Sequence, residues 1–378
     1  MSQTKVAAPF VANNANFRNL IINGDMSICQ RSTSVTGITA SGYRTADRWD
    51  NNLNDHGTFT QTKSTDVPDG QGFTHSVKLD CTTADASVAS GSYFRFQQKI
   101  EAQFLAPVMS GTANAKTTVM SFWIKFDNVS GDFCADVLNI NNSNNRVISK
   151  KFTYGSGAGW QKYTFVIPGD TDGNALTIDN SAGYYLQIFL GAGSDLTSGT
   201  LQTTWATRVN ANRAAGQSIQ IASSTDNNVY ITGVQYEIGD QATDFEHLPH
   251  DINLQRCLRY CVSYSTNVGD EILVPDPSYL CTGFMYNGSY MVGVIHFPVP
   301  MKNEPSLTTS NATDSFQFYS ANSSGSGTGD ALDDLTISSS SSRITAGVYN
   351  NTDASTPAGN GGGLYIHTSS TMIFEAEL

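Results

Sequence analysis

TVMSFWIKF, residues 118–126, is the stretch that decides the fold. Met120, Phe122, Ile124 and Phe126 fall on one parity, and Val119, Ser121, Trp123 and Lys125 on the other. A period of two marks a strand with one face in a core. A polar turn, NVSGD at 128–132, leads into a second apolar run at 133–140. Further out, WQKYTFVIP (160–168) sets Tyr163, Phe165 and Ile167 on one face. YYLQIFLGAG (184–193), QSIQIAS (217–223) and NVYITGVQYEIG (228–239) continue the series. Short strands separated by Gly, Asn and Asp turns, with hardly any helix-period pattern, predict an all-β fold built on an antiparallel jelly-roll sandwich.

Composition agrees with strands and turns. Of 378 residues, 41 are Ser, 39 Thr and 30 Asn, and only 14% are charged, against roughly a quarter in ordinary soluble domains. Hydroxyls and amides suit strands and turns better than helices. A hydrophobic share of 39%, with 10% aromatic, is ample for a core and excludes wholesale disorder. The net charge is −12 and no Lys/Arg cluster is present to neutralise phosphates, which excludes nucleic acid as a partner. The acidity is uneven. Residues 265–378 hold two basic and eleven acidic groups, −9, whereas residues 1–264 hold 19 and 22, −3. That step predicts a domain boundary near residue 260, with the acidic part facing solvent or a partner.

One helix-period segment lies at the same place. In DINLQRCLRYCVSY, Leu254, Cys257, Leu258 and Cys261 fall at i, i+3, i+4 and i+7, with Asp251 as cap or first-turn acid. The expected organisation is an arm at 1–18, a jelly roll at 19–250, a linking helix at 251–264 and an acidic C-terminal β-sandwich at 265–378. In the last part, Asn287–Gly288 signals a hairpin, residues 320–342 read as a Ser-rich loop, and the tail alternates again. No stretch approaches the roughly eighteen apolar residues of a membrane span, so no membrane insertion is expected. The start, MSQTKVAAPFVANNANFRN, has neither the basic opening nor the apolar run of a secretory signal. Cys29, Cys81, Cys134, Cys257, Cys261 and Cys281 read as free buried thiols of a reducing cytosol.

Little in the chain points to catalysis. GDTDGNALTID (169–179) places Asp170, Asp172 and Asn174 like a calcium loop, but Ala175 stands where glycine is needed and Ser181 where glutamate is needed. His247, His250, Cys257 and Cys261 match no structural zinc spacing, and the two thiols sit on the apolar helix stripe. Asp330, Asp333 and Asp334 lie in the Ser/Gly-rich stretch, and neither a G-x-S-x-G elbow nor a phosphate-binding loop is present. The chain therefore reads as a non-enzyme without metal or cofactor. Binding fits better, because a sugar offers an apolar C–H face and many hydroxyls, met by an aromatic ring with amide and polar neighbours. Trp123 and Lys125 share the polar parity of their strand, and Tyr185 and Gln187 share that of theirs, opposite Tyr184, Leu186 and Ile188. These four are the candidate carbohydrate-binding residues. The competing reading is that the rings pack beneath a loop or against another subunit. Trp49, Trp160 and Trp205 read as core or subunit contacts.

NLIINGDMSICQRSTS (19–34) with YRTADRW (43–49) resembles the opening of a group of bacteriophage appendage proteins. VYITGVQYEIGDQATDFEHLPHDINLQRCLRY (229–260) and FPVPMKNEPSLTTS (297–310) are similar to later parts of the same group. That group comprises tail-fibre and related virion structural proteins whose first domain is a jelly roll similar to carbohydrate-binding modules. The resemblance implies a non-enzymatic virion component, made in the host cytoplasm. Its arm at 1–18 would hold other virion proteins, and its distal domain would meet host-surface polysaccharide. It further implies a homo-oligomer, a trimer first. Two alternatives stay open: a capsid or tail decoration that binds no receptor, and a glycan depolymerase. No heptad stalk is encoded.

Overall fold

The computed structural model describes residues 17–143, 145–265, 278–310, 313–320, 329–367 and 370–378, so most of the expected arm lies outside the described residues. Thr118–Asp127 lies in a six-stranded antiparallel sheet ordered Ser34–Ile38, Thr58–Ser64, Ser76–Thr83, Asn228–Ile238, Thr118–Asp127, Gln161–Ile167. A seven-stranded sheet faces it, ordered Ala206–Thr207, Arg146–Tyr154, Gly131–Asn139, Ala182–Ala192, Tyr93–Glu101, Asp50–Asn54, Gly42–Tyr43. Met120, Phe122, Ile124 and Phe126 point between the sheets, against Phe133, Phe152, Leu186 and Ile188 of the other layer. Phe152 meets Phe122 edge-on at 5.7 Å, and Trp49 stacks on Phe96 at 4.8 Å. Each such side chain contributes about 1.5–3 kcal/mol by leaving water.

Residues 19–30, which opened the resemblance, form a buried loop rather than a strand. Buried backbone must be paired, and here amide side chains do the pairing. The Gln98 amide both donates to the Ile22 carbonyl and accepts from its N–H, each at 2.8 Å. Asn23 donates to the carbonyls of Ile28 and Asp47 at 2.9 and 3.0 Å. Gly24 permits the backbone of Asn228–Ile238 to come close, since a Cβ there would stand 2.1 Å from the Val234 oxygen.

The linking helix spans His250–Leu258, with Asp251 in its first turn. Its stripe splits between two cores: Cys257 packs with Ile22, Ile28 and Tyr260, and Leu258 with Val262 and Phe374 of the second core. The sequence reading runs the helix to residue 264. In the structure Cys261–Ser265 is instead a strand paired with Thr371–Glu375, because that pairing is available only from a distant part of the chain. All six cysteines are buried thiols.

A second sandwich follows. Its small sheet is ordered Cys261–Ser265, Thr371–Glu375, Ser306–Thr309. Its wide sheet runs Asp330–Leu332, Phe316–Ser320, Gly361–Ile366, Ser278–Asn287, Tyr290–His296, Thr345–Asn350, Thr336–Ile337. Met285, Met291, Phe316, Phe318, Leu364 and Phe374 fill the space between. The hairpin turns at Gly288 and Ser289, with Asn287 pairing Tyr290. Within the stretch read as a loop, Asp330–Leu332 and Thr336–Ile337 are edge strands, anchored by buried Leu332 and Leu335. Residues 321–328 of that stretch lie outside the described residues.

The acidity of the C-terminal part turns partly inward. Glu375 and Glu377 accept from Arg31 of the first sandwich at 2.6 and 3.0 Å, and Glu377 also pairs with buried Arg48. The Arg48 guanidinium lies 3.5 Å from the centre of the Tyr260 ring, and Arg259 holds Glu101 through two hydrogen bonds of 2.8 Å. Gln30 donates to the Cys261 carbonyl at 2.8 Å, and Lys99 to that of Leu378 at 2.6 Å. One partner of the acidic sandwich is therefore its own neighbour.

One buried group gives the first sandwich a pH dependence. His56 is 1% exposed and neither ring nitrogen has a hydrogen-bond partner among the described residues. Burial outweighs the pull of Asp85 and Asp55 and holds its pKa down to about 4. The unfolded imidazole takes up a proton near pH 6.5 while the folded one stays neutral. The contribution is thus complete above pH 6.5 and is lost as pH falls towards 4, about 3 kcal/mol in all. Urea unfolding at pH 7 and pH 4 is expected to show this loss in the wild type and to lack it in His56→Gln. Equal losses in both would rule the assignment out.

Candidate functional site

Trp123 and Lys125 lie on the outer face of the six-stranded sheet, and neither stands free there. The Trp123 ring shares the space above Gly233 with Phe73, since a Cβ at Gly233 would sit 2.8 Å from Trp123 Cδ1 and 2.5 Å from Phe73 Cζ. Phe73 in turn meets Phe245 at 5.0 Å and His247 at 5.1 Å. Lys125 Nζ is 2.5 Å from Asp66 and lies over the Tyr230 ring at 4.1 Å. Burial opposes ionisation of Asp66, but hydrogen bonds from Lys125 and from Trp160, whose Nε1 donates at 2.9 Å, hold its carboxyl below the ordinary range. Trp160 thus fastens this cover, while Trp205 donates to the Pro168 carbonyl at 2.7 Å and packs near Tyr184.

Tyr185 and Gln187 lie on the outer face of the other sheet, across the whole sandwich from Trp123. Gln187 is buried in a polar row: it donates to Gln97 and accepts from Arg213, while Gln97 donates to Asp50 at 2.7 Å. Arg213 reaches Asp136 at 2.8 Å, and Leu196, Leu201 and Ala214 roof the neighbouring Phe189. Tyr185 is half-buried, with the Lys99 ammonium 5.6 Å from its ring. The four residues do not form one platform. Parity along a strand says which residues share a face, but not which of the two sheets the strand joins.

The other sequence candidates also have structural partners. Asp170 and Asp172 pair with Arg146 at 2.9 and 3.4 Å. His247 Nε2 donates to the Gln71 carbonyl at 3.0 Å. Asp330 accepts from Ser355 and from the Thr356 N–H, and Asp333 from the Asp314 N–H at 2.9 Å, so these carboxylates fasten loops.

An aromatic face does exist, on the second sandwich. Strands of the wide sheet send Phe316, Phe318, Leu364, Ile366, Met285 and Met291 inward, so the intervening residues point out. Those residues are Tyr319, Tyr365, Tyr279, Phe284, Tyr286, Tyr290 and Tyr349, with Thr282, Val292 and Val294 among them. Tyr286 is 70% exposed, Tyr279 50% and Phe284 49%. The rings form two groups. Tyr365 meets Tyr279 at 5.4 Å and Tyr319 at 5.1 Å. Tyr290 stacks on Tyr349 at 5.2 Å and meets Tyr286 at 6.0 Å. Gly363 makes room for the first group, because a Cβ there would lie 2.8 Å from Tyr279 and 2.9 Å from Tyr365.

Among the described residues the wide sheet carries no Asp, Glu, Lys or Arg on this face; Asp330, in its edge strand, pairs with Phe318 and shares the inward parity of Leu332. The signal was present in FQFYS, GLYI and GVYN, where aromatic residues occupy the parity opposite the core.

No protein-family model and no curated protein matches the sequence. Among solved structures, the enzymatically active domain of tailspike protein 4 of bacteriophage CBA120 aligns over 59% of this chain and 22% of its own, at 12% identity and a TM-score of 0.29. A putative sugar binding protein from Bacteroides thetaiotaomicron aligns over 58% of this chain and 100% of its own, at 11% identity and a TM-score of 0.30. A xylan-binding domain from Paenibacillus barcinonensis aligns over 51% and 92%, at 14% identity and a TM-score of 0.28. The chain spans about a fifth of the tailspike chain. Likeness at this level gives no residue-by-residue correspondence, so the site rests on its own geometry. What that geometry offers is stacking area with hydroxyl groups at its rim, in a patch free of fixed charge among the described residues.

Proposed function

We propose that this chain is a non-enzymatic structural protein of a bacteriophage virion, a tail fibre or appendage, whose second sandwich attaches to host-surface glycan. The observation that carries the attachment is the exposed, uncharged tyrosine face. A large aromatic patch left open on a folded protein marks an interaction surface. Tyr suits sugars in particular, since the ring covers an apolar C–H face while the hydroxyl reaches a polar neighbour. The virion assignment draws on the segments at 19–34, 43–49, 229–260 and 297–310. These supply Arg31, Arg48, Arg259, Tyr260 and Lys302, so the resembling segments contribute contacts that fasten one sandwich to the other. A homo-oligomer, a trimer first, held to other virion proteins through residues 1–18, completes the reading. The loop-fastening roles of Asp330 and Asp333 favour binding over hydrolysis, because a glycosidase needs two carboxyl groups free to face a substrate.

Adsorption of the purified chain to a panel of bacterial strains tests the proposal. Binding to a subset of strains is expected, lost when periodate cleaves vicinal diols on the cells. The double variant Tyr279→Ala, Tyr286→Ala should bind about tenfold less or weaker still, with its thermal midpoint unchanged because both rings are exposed. Adsorption to no strain, or adsorption indifferent to both treatments, would overturn it.

A further inference from the structure

We propose that the ligand of the tyrosine face is an extended, neutral polysaccharide chain bridging the two tyrosine groups; this rests on the glycan-attachment reading and names its substrate class. Length is the first argument. Tyr279 and Tyr286 stand at opposite ends of Ser278–Asn287. Seven residues of strand span roughly 20 Å, more than one sugar ring covers. Thr282 and Phe284 lie between them on the same face, and Gly361 beside them leaves the floor open, with no atom within 3.9 Å of a Cβ built there. Two stacking groups with the exposed Phe284 ring between them fit a linear chain that lies along the strand and touches both. A compact or branched epitope would occupy one group only.

Charge is the second argument. Anionic glycans are held by Arg and Lys, and among the described residues the face offers neither. The part of the chain that bears it, residues 265–378, has a formal charge of −9. Glu375 and Glu377 are neutralised at the junction, but Asp330, Asp333, Asp334 and Asp353 remain on the same sandwich without a cationic partner among the described residues. Their field repels a polyanion at low salt. A neutral chain meets no such barrier, and its apolar faces match the rings.

Isothermal titration of the full chain with neutral series (cello-, xylo- and manno-oligosaccharides of increasing length) and acidic series (oligogalacturonates and alginate oligomers) tests the inference at low ionic strength. At least one neutral series is expected to bind, tightening with length until the chain spans both groups. Tyr279→Ala and Tyr286→Ala should each abolish that gain, about tenfold, through loss of one linked contact. Circular dichroism of the variants, unchanged from wild type, confirms that they fold. Acidic oligomers should bind at least about tenfold more weakly than neutral ones of equal length. Preference for an acidic series, affinity independent of length, or binding of no neutral series overturns the inference. So does a dimer that Tyr286→Ala converts to monomer, since a second copy would then occupy the face. Cell adsorption separates the two failures: a chain that adsorbs through periodate-sensitive groups yet takes no neutral oligosaccharide refutes this inference alone, and a chain that adsorbs to nothing refutes the attachment reading as well.

Discussion

Glu377→Ala is expected to destabilise the protein by about 3–5 kcal/mol, the cost of leaving a buried charge without its partner. Glu377 is the shared acceptor of Arg31 and Arg48, whose side chains are only 8% and 1% exposed. Desolvation opposes both charges, but Glu377 and the neighbouring acids outweigh it and raise the pKa of each guanidinium, so neither escapes by losing its proton. Without Glu377, Arg31 retains Glu375 and Asp47, but Arg48 is left with the Lys99 carbonyl at 2.7 Å and the Tyr260 ring. The second consequence is cooperative. The same contact joins the C-terminal segment to the first sandwich, so urea unfolding that follows one transition in the wild type should split into two in the variant. Arg48 keeps its place in the first sandwich, so the later transition should belong to the second. A loss below about 1 kcal/mol with a single transition would show that the junction tolerates an unpaired arginine.

That junction also shows where sequence reading stops. The alternation in 118–126 placed Phe122 and Ile124 inward without error, since a strand's parity is a local property of its backbone. The jelly roll, two sandwiches, the helix between them and the buried thiols follow from the same local evidence. Arg31 and Glu377 are 346 residues apart, and no local pattern pairs them. The helix ends six residues early because Cys261–Ser265 finds a partner at Thr371–Glu375, again a distant one. Edge strands hide in the Ser-rich stretch because two leucines, Leu332 and Leu335, suffice to hold them. The candidate site failed for a related reason. Trp123 and Tyr185 do point away from the core, but whether an outward ring meets solvent or a covering loop depends on segments 50 residues away or more, such as Phe73 and Phe245 for Trp123. The exposed rings sit where no described segment covers them, and only the assembled second sandwich reveals that.

Arg213→Met is the second large effect, about 3–5 kcal/mol at neutral pH, on the opposite side of the molecule. Arg213 is 2% exposed and bridges Asp136 to Gln187, and Asp136 is fully buried with one carboxylate oxygen already lacking a partner among the described residues. In the wild type, burial raises the Asp136 pKa while Arg213 pulls it down. Removing the guanidinium takes away the strongest pull against burial and leaves only the weaker ones of Arg95 and Arg208. A carboxyl whose folded pKa stands above its unfolded value gives stability that is complete below the unfolded value and is lost as pH rises through the folded one. The penalty should therefore be greatest at pH 7 and shrink on acidification, as Asp136 takes up a proton and becomes a tolerable buried acid. Urea unfolding of Arg213→Met at pH 7 and pH 5 measures that difference against the wild type. The double variant Asp136→Leu, Arg213→Met supplies the control, because replacing both charges removes the orphan and should recover most of the loss. If the double variant is as unstable as the single one, the cost lies in the packing of Phe189 and the roof at Leu196 and Ala214 rather than in the stranded carboxylate.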